Sequence, residues 1–308
     1  MTTPFTNGDV SSVTVVVVTF NSEMLLPAFF AALTDAIGEL EMVEVVVVDN
    51  GSDDGSVRIT QELWPEATIV KMGRNAGYAA AINAAVAEAR HSSGILVLND
   101  DIRLGPSSIE RMLETLAEPG IGIAVPRLRD GEGDLLKSLR REPTVLRALG
   151  EALLGGERAG RYSLFSEVIQ ESANYDEATT APWASGCAWL ISRECWDMVG
   201  RWDETFFLYA EDIDYALRAR DHGFRLQLAP SAAAVHLVGP SHDIPRLWAM
   251  SVWNKYRVFR RRHGPVHSGA YRGALILNEG LRAMAGRSIH RAGLAALVRQ
   301  ESRPEEVR

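Results

Sequence analysis

The sequence has few cysteines and no long apolar run. Its two cysteines, Cys187 and Cys195, are too few for a disulfide framework and have no metal-ligand partners at zinc-like spacing. No stretch approaches the ~18 consecutive apolar residues of a membrane span, and the first twelve residues lack the basic and apolar regions of a signal peptide. These absences predict a soluble protein of a reducing cytosol.

Two nucleotide-binding signatures are also missing. No Gly-x-Gly-x-x-Gly and no Gly-Lys-Ser or Gly-Lys-Thr occurs, which argues against dinucleotide oxidoreductases and P-loop enzymes. A sugar nucleotidyltransferase would need a Gly-rich triphosphate loop followed by Lys or Arg, and residues 18–25 contain none.

The net charge of −8 is unevenly distributed. Residues 245–308 hold 13 Lys and Arg against four Asp and Glu, with Trp248, Trp253, Tyr256 and Phe259 interleaved. This pattern predicts a basic helical extension that contacts an anionic membrane surface or a lipid diphosphate. The alternative is a helical pair packed on the rest of the protein, with its arginines solvated or used in a homodimer contact. No nucleic-acid partner is expected.

Strand-like and helix-like segments alternate in the first hundred residues. Apolar runs at 13–18, 43–48, 67–71 and 95–98 predict strands. Between them lie predicted helices, from caps at Asn21 and Ser22 to about Ile37, over 57–63, and through Arg90. This order predicts an α/β protein with a parallel sheet. After this region we expect an irregular insert at 127–180. Two further strands are predicted at 185–192 and 226–228, and two final helices at 246–262 and 270–298.

Polar clusters follow each of these strands. Ligands of parallel sheets bind at the carboxyl ends of the strands, so the clusters predict one site. Asn99-Asp-Asp101 offers oxygen ligands for Mg²⁺ or Mn²⁺, or forms a polar turn. Asp49 either closes a turn or accepts a hydrogen bond from a nucleobase imide. Arg74 and Asn75 precede a helix N-terminus, where they face a diphosphate or remain solvated.

The second half contributes further candidates. Segment 206–223 places Glu211, Asp212 and Asp214 directly after an aromatic run, and buried carboxylates are costly unless used as a base or ligand. His236 follows an apolar run, as either a satisfied core histidine or a metal ligand. Trp183 and Cys187 either pack in the core or form a wall under a sugar.

Taken together, these clusters resemble the inverting family 2 glycosyltransferases over about residues 13–240. The resemblance rests on 16–22, 46–52, 75–78 with Asn83, 98–101, 186–190 and 202–214. It implies the GT-A fold, a Rossmann-like, mostly parallel sheet flanked by helices, here with a C-terminal helical extension. The implied organisation is a catalytic domain over 1–244, with a nucleotide-binding half at 13–126 and an acceptor-binding half at 127–244, followed by the extension at 245–308.

The resemblance also implies roles for individual residues. Asp212 would be the general base with Glu211 beside it, and Asp101 and His236 would hold a divalent cation, Mg²⁺ or Mn²⁺. The family's Asp-x-Asp motif begins here with Asn99, which leaves Asp101 as the main metal ligand. The acceptor or sugar pocket would include Trp183, Gly186 and Cys187. The nucleotide-sugar donor would contact Thr19, Phe20, Asn21, Asp49, Asn50, Gly51, Arg74, Asn75, Gly77, Tyr78, Asn83, Asn99 and Asp100.

Within the family, segments 235–241 and 253–256 resemble bacterial rhamnosyltransferases that use thymidine diphosphate sugars. This implies transfer of a sugar such as rhamnose from a dTDP- or UDP-sugar to a glycan or polyprenyl-diphosphate-linked acceptor. Such an enzyme would work in the cytoplasm, at the inner face of the cell membrane. The alternatives are a soluble natural product as acceptor and a non-catalytic nucleotide-sugar binding module.

Overall fold

The structure is a computed structural model that describes residues 12–90, 92–237 and 244–299. Its strands are β1 Ser12–Thr19, β2 Met42–Asp49, β3 Thr68–Lys71, β4 Gly94–Asn99, β5 Ile102–Leu104, β6 Ile121–Arg129, β7 Leu139–Arg140, β8 Thr180–Ala181, β9 Trp183–Ala184, β10 Ala188–Ser192 and β11 Arg225–His236. Its helices are α1 Leu26–Ile37, α2 Ser56–Leu63, α3 Tyr78–Glu88, α4 Ser108–Leu116, α5 Val145–Leu154, α6 Gly156–Gly160, α7 Arg193–Val199, α8 Glu211–Asp221, α9 Pro245–Arg262, α10 Pro265–Met284 and α11 Ile289–Arg299.

A nine-stranded sheet organises the fold, in the order β3-β2-β1-β4-β10-β6-β11-β5 with β8 beside β11. Strands β1 to β4 are parallel to one another, and β6 is parallel to β11. Strand β10 runs antiparallel between β4 and β6. The predicted α/β fold with a mostly parallel sheet is confirmed. Strand β6 pairs with β10 and β11, so residues before and after position 127 share one sheet.

The valine run of β1 shows why the sheet lies in the core. Val15 and Val17 pack in one apolar cluster with Phe29 of α1. Val16 and Val18 face the other side, in a cluster with Ile82 of α3. Because successive side chains of a strand point to opposite faces, an uninterrupted apolar run fits a strand covered by helices on both sides.

The structure corrects several predicted boundaries. Helix α1 begins at Leu26, so Asn21 and Ser22 are not its caps. Asn21 has a φ of 56°, and the N–H of Leu26 donates to the carbonyl of Ser22. Strand β11 has twelve residues rather than the expected three. Strand β6 has no counterpart among the predicted strands, and it contains Pro126, a residue that disfavours the interior of a sheet. The pairing of β6 with β10 covers only Ile123 and Ala124, so Pro126 interrupts no bond on that side.

Over residues 245–299 the C-terminal extension contains three helices instead of the two predicted. The predicted helix 270–298 is divided between α10 and α11, and Gly286 has a φ of +88° in the turn between them. Tyr256, Phe259 and Tyr271 form an apolar cluster with Ala148 of α5. The described part of the extension therefore packs on α5, which agrees with the second of the two alternatives above. Within the described ranges, no helix has both the length and the apolar character needed to span a bilayer.

Candidate active site

The loops after β1, β2 and β3 are joined by side-chain to backbone hydrogen bonds. Asn50 is buried; its Nδ2 donates to Asn75 Oδ1 (3.0 Å), and its Oδ1 accepts from the N–H of Ala76 (2.9 Å). Gly51 has a φ of +85°, and a Cβ there would lie 2.6 Å from the backbone carbon of Arg74. Only glycine permits this approach. The three loops thus form one rigid rim at the carboxyl end of the sheet.

Side chains of the first two strand-end clusters form hydrogen bonds within this rim. Thr19 Oγ1 donates to the carbonyl of Val48 (3.1 Å), and Asn21 Oδ1 accepts from the N–H of Asp53 (2.8 Å). Asp49 Oδ1 accepts from the N–H of Ser52 (3.2 Å), the geometry of a carboxylate that closes a turn. This contact occupies one carboxylate oxygen of Asp49.

Asn83 lies outside the rim. Its Nδ2 donates to the carbonyl of Trp202 and to Glu204 Oε1, both at 2.9 Å, and its Oδ1 accepts from the N–H of Trp202 (3.0 Å). Both ends of this buried amide therefore hold the segment that precedes α8.

The third cluster brings Asp101 next to His236. Strand β5 pairs antiparallel with the end of β11, with His236 opposite Ile102, and the N–H of Leu237 donates to the Asp101 carbonyl. Asp101 Oδ2 consequently lies 3.2 Å from His236 Nε2. Burial disfavours the charged imidazole, but hydrogen bonds with Asp101 and Cys187 outweigh this effect and raise the pKa of His236 to about 10.

The Asp101–His236 pair has donors suited to a divalent cation. Asp101 Oδ1 is buried and has no hydrogen-bond partner, which leaves one carboxylate oxygen for a ligand. The carboxylate suits Mn²⁺ or Mg²⁺, and the imidazole can join it as a ligand once it has released the proton that it shares with Asp101. Within the described residues no third His, Cys, Asp or Glu completes a metal-binding group, so the other ligands would be substrate oxygens or water. Asp100 instead accepts a hydrogen bond from Ser22 Oγ, and its pKa is raised by burial to about 6.

The acidic pair at the start of α8 contacts the loop before β10. Asp212 Oδ2 accepts from the N–H of Gly186 (3.1 Å), and its Oδ1 accepts from the N–H of Ile213 (2.8 Å). A Cβ on Gly186 would lie 2.9 Å from the Asp212 Cβ, so this position requires glycine. Tyr78 OH donates to the Gly186 carbonyl (3.3 Å), which ties the same loop to α3.

Burial raises the pKa of both carboxyls of this pair above their ordinary values. Glu211 is raised further because the charge of Asp212 lies beside it. Asp212 is stabilised as a carboxylate by its two backbone N–H donors and by the positive charge of Arg140. We infer that the pair carries one negative charge, held by Asp212, with the proton on Glu211.

The backbone before the pair is strained. Tyr209 and Ala210 have φ values of 67° and 71°, a region that non-glycine residues adopt at a cost of about 1–3 kcal/mol each. Asn254 of α9 is buried, and its Nδ2 donates to the carbonyls of Leu208 (3.0 Å) and Tyr209 (3.3 Å). The C-terminal extension thus stabilises the turn that places Asp212.

The Asp101–His236 pair and the Glu211–Asp212 pair line one cavity of about 480 Å³. Predicted site residues on its wall are Tyr78, Asn99, Asp101, Trp183, Gly186, Cys187, Glu211, Asp212 and His236. The other predicted residues are not on its wall: Thr19, Phe20, Asn21, Asp49, Asn50, Gly51, Arg74, Asn75, Gly77, Asn83 and Asp100. Sequence reasoning missed Arg140, Ser185, Ser251 and Lys255, because only the tertiary fold brings β7 and α9 to the cavity.

Comparison with known proteins agrees with this architecture. The chain is 30% identical over 233 residues to the N-acetylglucosaminyl-diphospho-decaprenol L-rhamnosyltransferase of Mycobacterium tuberculosis, covering 72% of this chain and 75% of that protein. It is 23% identical over 257 residues to the low-salt glycan biosynthesis hexosyltransferase Agl10 of Haloferax volcanii, covering 80% and 73%.

Solved structures share the fold. A mannosyltransferase from Pyrobaculum calidifontis, in complex with GDP-Man and Mn²⁺, superposes with a TM-score of 0.57 at 19% identity, covering 95% of this chain and 76% of that one. GalNAc-T7 with UDP, GalNAc and Mn²⁺ gives a TM-score of 0.61 at 14% identity over 81% of this chain, which spans only 48% of the GalNAc-T7 chain. The GT-A fold is thereby confirmed.

The family model described as Glycosyl transferase family 2 matches residues 14–197, which include the strand-end loops and the Gly186 turn. This match covers more than half of the chain, and the mycobacterial relative extends the similarity over most of it. The chain belongs to glycosyl transferase family 2 and is a glycosyltransferase.

Proposed function

We propose that this enzyme transfers rhamnose from a thymidine diphosphate sugar to a hydroxyl group of a polyprenyl-diphosphate-linked glycan, with inversion at the anomeric carbon. The observation that supports the chemistry best is the position of Asp212. Its carboxylate lies on the cavity wall, is fixed by Gly186 and Ile213, and shares that wall with Asp101 and His236. The similarity to the mycobacterial L-rhamnosyltransferase supports the choice of sugar and acceptor.

Asp212 would act as the general base in a single displacement. The acceptor hydroxyl loses its proton to the Asp212 carboxylate as its oxygen bonds to the anomeric carbon. The bond between that carbon and the phosphate oxygen breaks, and the nucleoside diphosphate leaves with the electron pair. The raised pKa of Asp212 supports this role, because a stronger base accepts a proton more readily in the transition state.

Glu211 would keep the site electrostatically balanced. A second negative charge beside Asp212 would raise the free energy of the buried pair, and the protonated form of Glu211 avoids it. Asp101 and, once it has lost its proton, His236 would hold Mg²⁺ or Mn²⁺. When bound, the cation would offset negative charge on the leaving diphosphate.

The test compares two isosteric variants in a transfer assay with dTDP-rhamnose, Mn²⁺ and a synthetic N-acetylglucosaminyl diphosphate lipid. Asp212→Asn removes the base and should lower kcat by about 10²- to 10⁴-fold while leaving the dTDP affinity unchanged. Glu211→Gln resembles the protonated glutamate and should lose less than about 10-fold. The product should carry an α-linked rhamnose if the donor is β-linked.

Three results would contradict the proposal. Full activity of Asp212→Asn would exclude this residue as the base. Transfer from a UDP-sugar but not from dTDP-rhamnose would retain the glycosyltransferase and reject rhamnose. Retention of the anomeric configuration would exclude the single displacement.

A further inference from the structure

The catalytic cavity contains two cationic side chains that come from outside the strand-end loops. Arg140 lies on β7, which pairs with β9 so that Arg140 is opposite Trp183. Lys255 lies on α9 of the C-terminal extension. Both line the cavity that contains Asp212, and both are only partly exposed. The proposed chemistry assigns no role to either of them.

Arg140 has no acidic partner in contact. Its Nη1 donates to the carbonyls of Lys137 and Leu139, and its guanidinium carbon lies 5.8 Å from the centroid of the Trp183 ring. No carboxylate in the described ranges forms an ion pair with it, and its Nε and Nη2 donate to no described residue. Burial lowers the pKa of Arg140, while more distant carboxylates, Asp212 among them, oppose this effect. A guanidinium with free donors at a cavity wall is suited to an anionic ligand.

Lys255 is held in place by a buried carboxylate. Its Nζ lies 2.9 Å from Glu167 Oε1, and Glu167 has a side chain only 3% exposed. The Tyr271 hydroxyl also reaches Glu167 Oε1, at 3.4 Å. Burial disfavours the ammonium, but the charges of Glu167 and Glu151 outweigh it and raise the pKa of Lys255. The ammonium group is therefore charged and fixed, and the ion pair with Glu167 uses only one of its three N–H donors.

We propose that Arg140, assisted by Lys255, binds a phosphate or diphosphate group attached to the acceptor sugar. This inference rests on the proposed function, because it places the acceptor next to Asp212. An anion in contact with Arg140 would supply the hydrogen-bond acceptors that its Nε and Nη2 lack. The enzyme would then select acceptors by the charge beside the sugar as well as by the sugar itself.

The test measures acceptor selectivity with the full-length protein, dTDP-rhamnose and Mn²⁺. One acceptor is an N-acetylglucosaminyl diphosphate with a short isoprenoid chain, and the other is the neutral octyl N-acetylglucosaminide. Both acceptors use the same base, so the ratio of their kcat/KM values cancels any effect of Arg140 on Asp212. The wild type should prefer the diphosphate. Arg140→Gln should reduce the ratio by about 10- to 100-fold, mainly through the KM of the diphosphate acceptor, with Arg140→Lys intermediate.

A matched control is the adjacent Arg141, which is not on the cavity wall and pairs with Glu171 at 3.3 Å. Arg141→Gln should leave the acceptor ratio unchanged. A direct binding measurement accompanies the kinetics: the diphosphate acceptor should raise the melting temperature of the wild type more than that of Arg140→Gln.

Four results would overturn the inference, and they separate it from the proposed function. An unchanged ratio in Arg140→Gln would remove Arg140 from acceptor recognition. A raised donor KM at an unchanged ratio would assign Arg140 to the donor. If the wild type hydrolyses dTDP-rhamnose yet neither binds nor uses the diphosphate acceptor, the acceptor class is wrong while donor use stands. Absence of hydrolysis, transfer and acceptor binding would reject both the inference and the proposed function.

Discussion

At the scale of single residues, the catalytic geometry depends on Gly186. Its N–H donates to Asp212, its carbonyl accepts from Tyr78, and it has no side chain to separate the two elements. Close approach of a backbone to a functional side chain is a common reason for glycine at such a position. Gly186 is thus a positioning residue for the proposed base.

We predict that Gly186→Ala impairs catalysis more than folding. The added Cβ would lie 2.9 Å from the Asp212 Cβ, so Asp212 must move. Displacement by a fraction of an ångström should lower kcat by about 10- to 100-fold. The control is Gly273→Ala in α10, where the added Cβ meets no atom within 4 Å. Equal kcat for the two variants would show that the Gly186 contact does not position Asp212.

The acid dependence of kcat tests the electrostatics of Asp212. The base is active when ionised, so activity is present above its pKa and lost as the pH falls through it. Burial raises this pKa, and the acid limb should therefore lie above the ordinary aspartate value of about 3.9. A pH–rate profile at saturating donor and acceptor measures it. An acid limb at or below the ordinary value would contradict a buried base.

At the scale of elements, helix α8 places both carboxyls in its first turn, where the helix dipole favours negative charge. The strained turn before α8 reaches this position only with support from another element. That support is Asn254, which bonds the turn from α9.

We predict that Asn254→Ala lowers both stability and turnover. Two partly buried carbonyls lose a donor, which should cost about 1–3 kcal/mol in the free energy of unfolding. The turn at Tyr209 and Ala210 would then relax and displace Asp212. Asn278→Ala in α10 is the control, since Asn278 Oδ1 is buried without a partner and its amide lies off the cavity wall. Chemical denaturation and kcat measure the two effects, and an unchanged kcat in Asn254→Ala would contradict the link between the turn and the base.

The difference between the strand-end motifs and Asn254 shows how much of the site the sequence can reveal. Asp49, Asp101 and Asp212 stand out because each lies in a polar cluster that follows an apolar or aromatic run. Asn254 and Lys255 sit in a basic helical pattern that is typical of a solvated surface. Arg140 lies in a segment without periodicity. Their roles depend on where α9 and β7 pack, which local patterns do not determine.

At the scale of the whole molecule, the C-terminal extension packs on the preceding residues through charged as well as apolar contacts. Arg261 pairs with Asp203, and its guanidinium carbon lies 4.5 Å from the centroid of the Phe206 ring. Arg262 pairs with Asp221 at 2.6 Å. Two of the three consecutive arginines at 260–262 are thus used inside the molecule.

We predict that Arg261→Ala combined with Arg262→Ala lowers the free energy of unfolding by about 1–2 kcal/mol, because it removes three ion pairs and one cation–π contact. Arg260 is exposed and forms no ion pair within the described ranges, so Arg260→Ala should change stability by less than about 0.5 kcal/mol. Denaturant titration measures the free energy of unfolding of the double variant, of Arg260→Ala and of the wild type. Equal stability of the double variant and the wild type would mean that these contacts do not hold the extension.

The most direct test of the account is the melting temperature of the protein with TDP, UDP or GDP, each with and without Mn²⁺. A ligand at 100 times its Kd adds about 2.7 kcal/mol, which shifts the melting temperature by several degrees. We expect the largest shift with TDP and Mn²⁺, and loss of its metal-dependent part in Asp101→Asn. No shift with any nucleotide, with or without Mn²⁺, would contradict a nucleotide-sugar site at the carboxyl end of the sheet.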